Sequence, residues 1–361
     1  MKIDEIRKNL GVTLIDLPRY AWHIYVTDRW ERLSNRSDTT ESSPDGPGMK
    51  CGGRWTSDLL TCRIYPFLGK SMMRRAFHRW PIKFSDHPEA RRKPLISVII
   101  AFRGEERLDA LMTVLSSLAG QEGADFECIL VEQSREQEVK GLPGWVKYVR
   151  AVHPSDPIGW YKSWAYNIGV REANGDILVF HDADICMPKH YLKEVALSFV
   201  IDDLEMTALQ RFLFYLDETD SRSIETGRNF TGDTTPKIVL QNWQGGTIAV
   251  RKDAFFSIGG FDEGFVNWGG EDCEFFDRCL SLKHYSYGYI PFIHLWHVPQ
   301  SDRHSADNIN TLRILPDRLG IPARTRIEEM RGRRSGDKNG PDPLLGYPEK
   351  YDRVNIVRRI N

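Results

Sequence analysis

The chain has 361 residues, which is enough to bury a large core and permits two or three domains. Its hydrophobic fraction of 41% and charged fraction of 27% are typical of a soluble globular protein. The formal net charge of -1 provides no overall field that would select nucleic acid, so we expect no nucleic-acid partner.

The sequence also lacks the usual signals for membrane insertion and export. It contains no run of about 18 apolar residues, and the first five residues lack the apolar stretch of a signal peptide. The six cysteines are scattered without C-x-x-C spacing, which favours reduced thiols. We therefore expect a cytoplasmic protein.

Residues 1–93 differ from the rest of the chain and are predicted to be an N-terminal extension of unknown role. They combine aromatic residues with a basic final third that comprises Lys70, Arg74, Arg75, Arg79, Lys83, Arg91, Arg92 and Lys93. The favoured interpretation is a solvated, partly helical extension that packs on the main domain. The alternative is peripheral contact with an anionic membrane surface.

Strand and helix patterns alternate from residue 94 onward. Apolar, β-branched runs predict strands at 95–101, 126–131 and 177–180, and helical spacing or composition predicts helices at 108–118 and 164–173. This alternation predicts an α/β fold with a mostly parallel central sheet flanked by helices. Ligands bind at the carboxyl ends of such strands, so we expect Arg103, Glu132 and Asp182 to share one edge.

The pattern is less regular after residue 200. Strands are predicted at 206–216 and 238–240, and a helix at 271–282. The polar segment 217–236 is predicted to be a mobile loop. The region from 94 to 320 is predicted as the main domain, and residues 321–361 as an extended or partly disordered tail.

The first candidate site is Asp182-Ala183-Asp184, directly after a predicted strand. Two carboxylates at i and i+2 on a strand end can both address a hard divalent cation. Such an ion would bridge to a diphosphate and neutralise the charge on the leaving group. A simple turn is the alternative, but the preceding strand favours the metal interpretation.

His294 and His297 follow another predicted strand, 289–293. A neutral imidazole is a common ligand beside carboxylates for manganese-type ions. Histidines at this spacing are more often structural, so their assignment to the metal depends on the acidic motif upstream.

Trp268-Gly269-Gly270-Glu271-Asp272 combines an aromatic ring, two glycines and two acids at the start of a helix. Sugars stack on indole rings, and glycines allow the backbone to approach a ligand closely. A carboxylate at this position can deprotonate a sugar hydroxyl. The alternative is an acidic first turn that stabilises the helix dipole, and both interpretations can hold together.

In this order the motifs resemble those of the GT-A nucleotide-sugar transferases over residues 94 to about 300. The resemblance is greatest to the β-1,4-galactosyltransferase-like family and to the related part of bacterial chondroitin-type synthases, family 2 glycosyltransferases. Trp268 to Asp272 matches that family's Trp-Gly-Gly-Glu-Asp residue for residue. Two departures are Cys273, where the family has a third acid, and Ala101, where it has proline.

The resemblance implies a role for each matched residue. It makes Asp272 the catalytic base and Glu271 a catalytic-site acid that binds sugar. It makes Asp184, His297 and His294 the metal ligands, with Mn²⁺ or Mg²⁺ as cofactor. Its donor-binding residues are Arg103, Glu132, Lys162, Asn167, Asp182, Gly245, Gly246 and Trp268.

The implied function is transfer of a sugar from a UDP-sugar, of the galactose or N-acetylhexosamine type, to a hydroxyl on a glycan or other acceptor. An aspartate at position 272 favours inversion at the anomeric carbon. Three alternatives remain: a retaining transferase, a catalytically inactive nucleotide-sugar or carbohydrate-binding module, and a nucleotidyltransferase. The last usually has a glycine-rich, basic loop after the first strand, whereas the segment 102–107 has a single glycine.

Overall fold

The structure is a computed structural model that describes residues 9–52, 57–89, 93–153, 159–241, 245–298 and 310–341. The helices are α1 (Leu17–Ala21), α2 (Leu60–Ile64), α3 (Pro66–Arg79), α4 (Leu108–Ala119), α5 (Lys162–Glu172), α6 (Tyr191–Val200), α7 (Glu218–Gly227), α8 (Lys252–Ser257), α9 (Glu271–Cys279), α10 (Leu315–Gly320) and α11 (Ala323–Arg331). Short π-helical segments at Val12–Asp16 and Trp22–Val26 extend α1 on both sides, and another at Asn310–Ile314 precedes α10. Short 3₁₀ turns lie at Trp30–Arg32 and Glu105–Arg107.

The strands form two large sheets and one hairpin. They are β1 (Thr39–Ser42), β2 (Met49–Gly52), β3 (Ser57–Asp58), β4 (Ile96–Phe102), β5 (Phe126–Gln133), β6 (Val146–Ala151), β7 (Ile177–His181), β8 (Ile185–Cys186), β9 (Met206–Thr207), β10 (Gln210–Tyr215), β11 (Ile238–Gln241), β12 (Thr247–Arg251), β13 (His284–Tyr285) and β14 (Ile290–His294). The seven-stranded sheet has the order β13-β9-β12-β7-β4-β5-β6, and the five-stranded sheet has the order β3-β11-β10-β14-β8.

The centre of the seven-stranded sheet is parallel, as the sequence predicts. Strand β4 pairs in parallel with β5 and β7, and β5 pairs in parallel with β6. Every residue of β4 is buried, because helices cover both faces of the sheet. The predicted α/β fold with a mostly parallel central sheet is confirmed. The antiparallel strand β12, which the sequence patterns do not reveal, continues the sheet beyond β7.

The N-terminal region shares its core with the rest of the protein. Trp30 is 1% exposed and packs on Phe212 of β10, with ring centroids 6.1 Å apart. Strand β3 pairs with β11, and Arg211 donates to the carbonyl oxygens of Glu31 and Leu33. Described residues on both sides of position 93 therefore share one packed core, and the role of the N-terminal residues stays a prediction. Arg91 and Arg92 lie outside the described residues.

Two predictions of irregular structure are wrong. The segment 217–236 contains α7, whose N-terminus is capped by Asp217, the side chain of which accepts from Asp220 N at 2.8 Å. The predicted tail contains α11. This helix packs on the rest of the protein, and its Arg326 is buried in an ion pair with Glu274 at 2.7 Å. Residues 342–361 lie outside the described part of the chain.

None of the helices in the described ranges combines the length and the apolar character that a membrane span requires. All six cysteines are free thiols.

Candidate active site

The loop after β7 and the end of β14 meet at one point of the fold. His294, the last residue of β14, pairs with Ile185 of β8 in antiparallel register. The next backbone amide, Leu295 N, donates to Asp184 O at 2.8 Å. These backbone bonds bring Asp184 and the two predicted histidines together although 110 residues separate His294 from Asp184 along the chain.

Asp184, His294 and His297 form a group whose ligand atoms all lie within 4.8 Å of one another. His297 Nε2 is 3.2 Å from Asp184 Oδ2, and His294 Nε2 is 3.6 Å from Asp184 Oδ1. Two ligands that each bind one ion at about 2.1 Å, at right angles, are separated by roughly 3 Å. The separations observed are therefore close to those of a metal site.

The two imidazoles are oriented by their own backbone. His294 Nδ1 lies 2.7 Å from Leu295 O, and His297 Nδ1 lies 2.9 Å from Val298 O. Because a carbonyl oxygen only accepts, Nδ1 of His294 carries the proton and its Nε2 lone pair is available to a metal. Nδ1 of His297 also lies 3.3 Å from Arg107 Nη2, which only donates, so the tautomer of His297 depends on which of these two partners it bonds. His294 also stacks on Tyr215 with 4.1 Å between ring centroids, which fixes its plane.

The carboxylate of Asp184 is suited to a cation. Its Oδ1 is buried and accepts no hydrogen bond from the described residues. Burial acts to raise the pKa of Asp184, but His294, His297 and Arg107 outweigh burial and hold the pKa well below its ordinary value. Burial lowers the pKa of His294, whereas the Asp184 carboxylate opposes this effect. The ring pairs with Asp184 as a cation when it is protonated, and it can bind a metal only after it loses that proton. One carboxylate and two neutral imidazoles fit a divalent transition-metal ion.

Arg107 belongs to this group, although the sequence analysis missed it. Its Nη1 is 3.5 Å from Asp184 Oδ2, and its Nη2 is 3.3 Å from His297 Nδ1. Arg107 ends the 3₁₀ turn after β4, one turn beyond the predicted donor-binding Arg103. Its position in the basic and acidic segment 103–107 was the available signal, but only the fold shows which arginine faces the metal ligands.

A second group surrounds the ammonium of Lys162 at the start of α5. Lys162 Nζ lies 2.9 Å from Asp182 Oδ1, 3.3 Å from Glu271 Oε1 and 3.2 Å from Asp272 Oδ2. Tyr166, one turn further along α5, donates its hydroxyl to Asp182 Oδ1 at 3.0 Å. Four residues that the sequence assigns to catalysis or donor binding are thus joined through one cation.

Burial and the neighbouring charges shift the pKa values of Lys162 and Asp272. Burial acts to lower the pKa of Lys162, but the carboxylates of Asp182, Asp272 and Glu271 raise it well above its ordinary value. Burial raises the pKa of Asp272 well above its ordinary value, Glu271 and Asp182 add to this effect, and Lys162 opposes it. The Asp272 side chain keeps 25% of its surface exposed, so solvent or a ligand can reach it.

The backbone before α9 needs residues that accept positive φ. Gly269 and Gly270 have φ of 95° and 97°, and Asn267 has φ of 69°. Asn267 is held by Trp160, whose N donates to Asn267 Oδ1 at 3.0 Å. Gly270 is the N-cap of α9 and has no side chain to cap the helix. Glu271 and Asp272 follow it directly and lie in the first helical turn. The acids lie at the positive helix end, as the structural interpretation of this motif predicts. The catalytic role of Asp272, which also faces Lys162, stays a prediction.

The predicted glycines lie against the acidic groups. A side chain at Gly245 would meet Asp272 Oδ2 at 2.5 Å. Gly246 has φ of 85°, and its carbonyl oxygen accepts from Asp182 N at 2.9 Å. Through this backbone bond, and through the pairing of β12 with β7, the two acidic motifs are positioned relative to each other.

Two other predicted donor-binding residues have structural partners. Glu132 is fully buried; its carboxylate accepts from the amides of Glu138 and Val139 and from the hydroxyl of Tyr148 at 2.6 Å. Asn167 is buried and bonds to the backbone of Phe261 in both directions. These side chains hold loops in place, and their contact with a donor stays a prediction.

Arg103 is exposed just after β4, and Trp268 is half-buried in the loop before α9. Both lie on segments that lead to the described groups, and their donor-binding roles also stay predictions.

Comparison with known proteins gives matches to two family models. Residues 97–259 match the family model of Glycosyl transferase family 2. Residues 230–291 match the model described as the N-terminal domain of galactosyltransferase. The first match covers the strands β4 to β12 and Asp184, and the second covers the acidic motif at the start of α9.

Curated relatives come from the same class. The chain is 26% identical over 224 residues to N-acetylgalactosaminyltransferase 6 of Drosophila melanogaster, which covers 52% of this chain and 32% of the relative. It is 24% identical over 128 residues to Beta-1,4-galactosyltransferase 4 of Homo sapiens, covering 34% and 30%. It is 28% identical over 236 residues to Probable N-acetylgalactosaminyltransferase 9 of Caenorhabditis elegans, covering 57% and 40%. The chain thus spans less than half the length of these relatives.

Among solved structures, that of S. aureus TarS 1-349 in complex with UDP-GlcNAc aligns with a TM-score of 0.44 at 15% identity. The alignment covers 72% of this chain and 74% of that chain.

The predicted resemblance to glycosyltransferases is confirmed by the two family models. The chain carries a glycosyltransferase domain, which the two family models match between residues 97 and 291.

Proposed function

We propose that this protein is a metal-dependent hexosyltransferase. It moves a sugar from a UDP-sugar to a hydroxyl group of a glycan or other acceptor, with inversion at the anomeric carbon. One observation carries the proposal: the metal-ligand group and the Lys162 group meet at the segment 182–184. Asp184 belongs to the first group and Asp182 to the second. A donor diphosphate held at one group therefore lies beside the candidate base in the other.

The donor is expected to be of the galactose or N-acetylhexosamine type. The relatives described above are galactosyl- and N-acetylgalactosaminyltransferases. Trp268 provides an indole ring beside the acids on which a sugar face can stack.

The ion is expected to be Mn²⁺, with Mg²⁺ as the alternative, because one carboxylate and two imidazoles suit manganese better than magnesium. A bound ion would neutralise the charge that develops on the leaving diphosphate. Asp184, His294 and His297 would hold it, and Arg107 provides a fixed positive charge next to them.

Asp272 is the candidate general base. Its carboxylate takes the proton of the acceptor hydroxyl, and the acceptor oxygen forms the new bond to the anomeric carbon. The bond from that carbon to the diphosphate breaks, and UDP leaves with the electron pair. The raised pKa of Asp272 brings its basicity closer to that of a group that operates near neutral pH. Glu271 would bind sugar hydroxyls beside it, and Lys162 holds both acids in place.

The metal site is tested by calorimetry of UDP binding with Mn²⁺ and with EDTA. We expect Asp184→Ala and His297→Ala to abolish the gain in UDP affinity that Mn²⁺ provides, because each change removes a ligand. His87→Ala is the matched control, since His87 is exposed and outside the site. Equal UDP affinity in EDTA and in Mn²⁺ would reject the metal site.

The base is tested with Asp272→Asn, which retains size and removes the proton acceptor. Turnover of the UDP-sugar should fall by about 10²–10⁴-fold, while binding of UDP with Mn²⁺ persists. Analysis of product stereochemistry separates inversion from retention. Release of diphosphate would indicate a nucleotidyltransferase, and binding without turnover an inactive module. Near-normal transfer by Asp272→Asn would exclude the base proposed here.

A further inference from the structure

The N-terminal helical segment 10–26 has an apolar outer face. Its large exposed side chains are Leu10, Leu14, Ile15, Trp22, Tyr25 and Val26, and Leu14 is 72% exposed. Its two charged residues are Asp16, which is buried, and Arg19, whose side chain is 33% exposed and pairs with Asp16 at 3.4 Å. An outer helix face of this length without charge is unusual for a solvated surface.

A second element extends this face. Phe67, in the first turn of α3, is 53% exposed and packs against Tyr65 with ring centroids 6.0 Å apart. The hydroxyl of Tyr65 is hydrogen-bonded to Thr13 at 2.6 Å, so Phe67 lies beside the helical segment. At the other end, Tyr25 donates to Ser71 of α3 at 2.7 Å.

A basic cleft begins where the apolar face ends. It has a volume of about 1160 Å³, and the segments 27–32, 42–49 and 74–80 line it together with Tyr289. Its arginines are Arg29, Arg32, Arg74, Arg75 and Arg79, and its acids are Asp28 and Glu31.

Most of this positive charge has no compensating partner. Asp28 pairs with Arg75 at 2.9 Å. Within the described ranges, none of the other four arginines forms an ion pair, and all four are exposed. The cleft therefore presents several fixed cations to solvent next to an apolar helix face.

We propose that this surface, formed by the apolar face of residues 10–26 and the arginine cleft, binds an anionic lipid bilayer. The apolar side chains insert at the boundary between headgroups and acyl chains, and the arginines bind lipid phosphates. The two features support the same occupant, because a neutral protein partner would not need the arginines and a free polyanion would not need the apolar face.

The surface is separate from the candidate active site. Tyr289 lines the cleft and immediately precedes β14, whose last residue, His294, lies in the metal-ligand group. Five residues of extended strand span about 16 Å. Docking on a bilayer thus leaves the active site free, at the far end of β14, to receive an acceptor and a donor.

The test is flotation of the full chain with vesicles of phosphatidylcholine and with vesicles that also contain phosphatidylglycerol. We expect binding to the anionic vesicles that weakens with salt. Arg74→Gln and Arg79→Gln should each weaken binding about fivefold, and together about 25-fold. Leu14→Asp combined with Trp22→Asp should weaken it by more than about tenfold.

The matched controls are Val200→Asp and Arg324→Gln. Val200 is 68% exposed at the end of α6, and the Arg324 side chain is 92% exposed on α11. Both should bind vesicles like the parent protein, and thermal melting of each variant checks the fold. UDP release is measured in parallel without lipid, so failure of the proposed function is seen separately.

Three results would overturn the proposal. The first is failure to bind anionic vesicles, and the second is an equal loss of binding in the control variants. The third is a dimer, seen by sedimentation without lipid, that Leu14→Asp dissociates, because the apolar face would then bind a second copy of the chain.

Discussion

Asp182, Glu271 and Asp272 share the single positive charge of Lys162. Three carboxylates around one ammonium carry an excess of negative charge, and this excess together with burial raises the pKa of Asp272. The ammonium limits the effect by stabilising the charged carboxylate. Lys162 is therefore expected to position the base and to set the pH at which it works.

This arrangement predicts the pH dependence of activity. A general base must be deprotonated, so kcat/KM should rise with pH through a pKa above the ordinary aspartate value of about 3.9. Lys162→Met removes the charge that lowers the pKa of Asp272, so the rising limb should move to higher pH. The measurement is a pH profile of UDP release for both proteins. A limb that stays in place in Lys162→Met would contradict this role, whatever the loss of rate.

Gly245 provides a second prediction at the scale of one residue. A methyl group there would meet the end of the Asp272 side chain, which is flexible and can move aside. Gly245→Ala should therefore reduce turnover more than about tenfold by displacing the base, with little change in melting temperature. Gly144→Ala is the control, because a side chain there meets nothing within 4 Å. Full activity in Gly245→Ala would show that catalysis does not depend on the present position of the Asp272 carboxylate.

Arg107 predicts an effect on metal affinity. Its guanidinium lies beside Asp184 and His297, where its positive charge would repel a divalent metal ion bound to these residues. Arg107→Gln should raise the affinity for Mn²⁺ alone and lower the affinity for UDP in the presence of Mn²⁺. Calorimetry of both titrations measures these changes. A loss of affinity for Mn²⁺ alone would show that Arg107 supports the site by holding His297 rather than by its charge toward the ligand.

At the scale of elements, α7 supports the loop that carries His297. Ser221 of α7 is 1% exposed, and its Oγ accepts from Trp296 N at 2.8 Å. The segment 217–236 was expected to be a mobile loop because it is polar. Instead, Asp217 caps the N-terminus of α7, and the buried Ser221 binds the backbone of the loop that carries His297. The polar composition of α7 therefore reflects a surface helix that packs through one face, with Ser221 and Ile224 buried.

Ser221→Ala tests this link. It removes the acceptor of the half-buried Trp296 amide, so the free energy of unfolding should fall by about 0.5–1.5 kcal/mol. The affinity for Mn²⁺ should fall as well, since the loop that carries His297 loses a support. Thr226→Ala on the exposed side of α7 should change neither quantity. Denaturant unfolding and metal titration give the result, and unchanged metal affinity in Ser221→Ala would separate α7 from the site.

At the scale of the whole molecule, the C-terminal helices are fastened by buried charges. Glu274 of α9 pairs with Arg278 at 2.7 Å and with Arg326 of α11 at 2.7 Å, and all three are buried. Burial acts to raise the pKa of Glu274, but the two arginines outweigh it and lower the pKa. The stability from Glu274 is present above its ordinary pKa and is lost as pH falls through the lowered value.

Arg326→Met removes one of these partners. Breaking a buried ion pair costs about 3–5 kcal/mol of unfolding free energy, because the remaining charge is buried with less compensation. Arg324→Ala, which removes only an exposed pair with Glu328, should change stability by less than about 1 kcal/mol. Equal effects of the two changes, in denaturant unfolding, would show that the C-terminal helices do not contribute to the global fold.

The sequence by itself determined the local elements and the residue types of the site. Apolar runs of several residues were enough to predict the strands β4, β5 and β7. The motif at 182–184 could then be placed because it directly follows β7. Trp268 to Asp272 and the pair His294 and His297 stood out by residue type and by order.

Only the tertiary structure decided which of these residues meet. Arg107 is seen to contact the candidate metal ligands Asp184 and His297, Glu132 is seen to hold a loop, and Lys162 joins acids that lie up to 110 positions away. In the charged C-terminal segment, most side chains are exposed, and only the structure shows that Arg326 is buried against Glu274. Periodicity reports the surroundings of a residue along its own element, whereas an ion pair or a hydrogen bond between distant segments depends on how the sheets and helices pack.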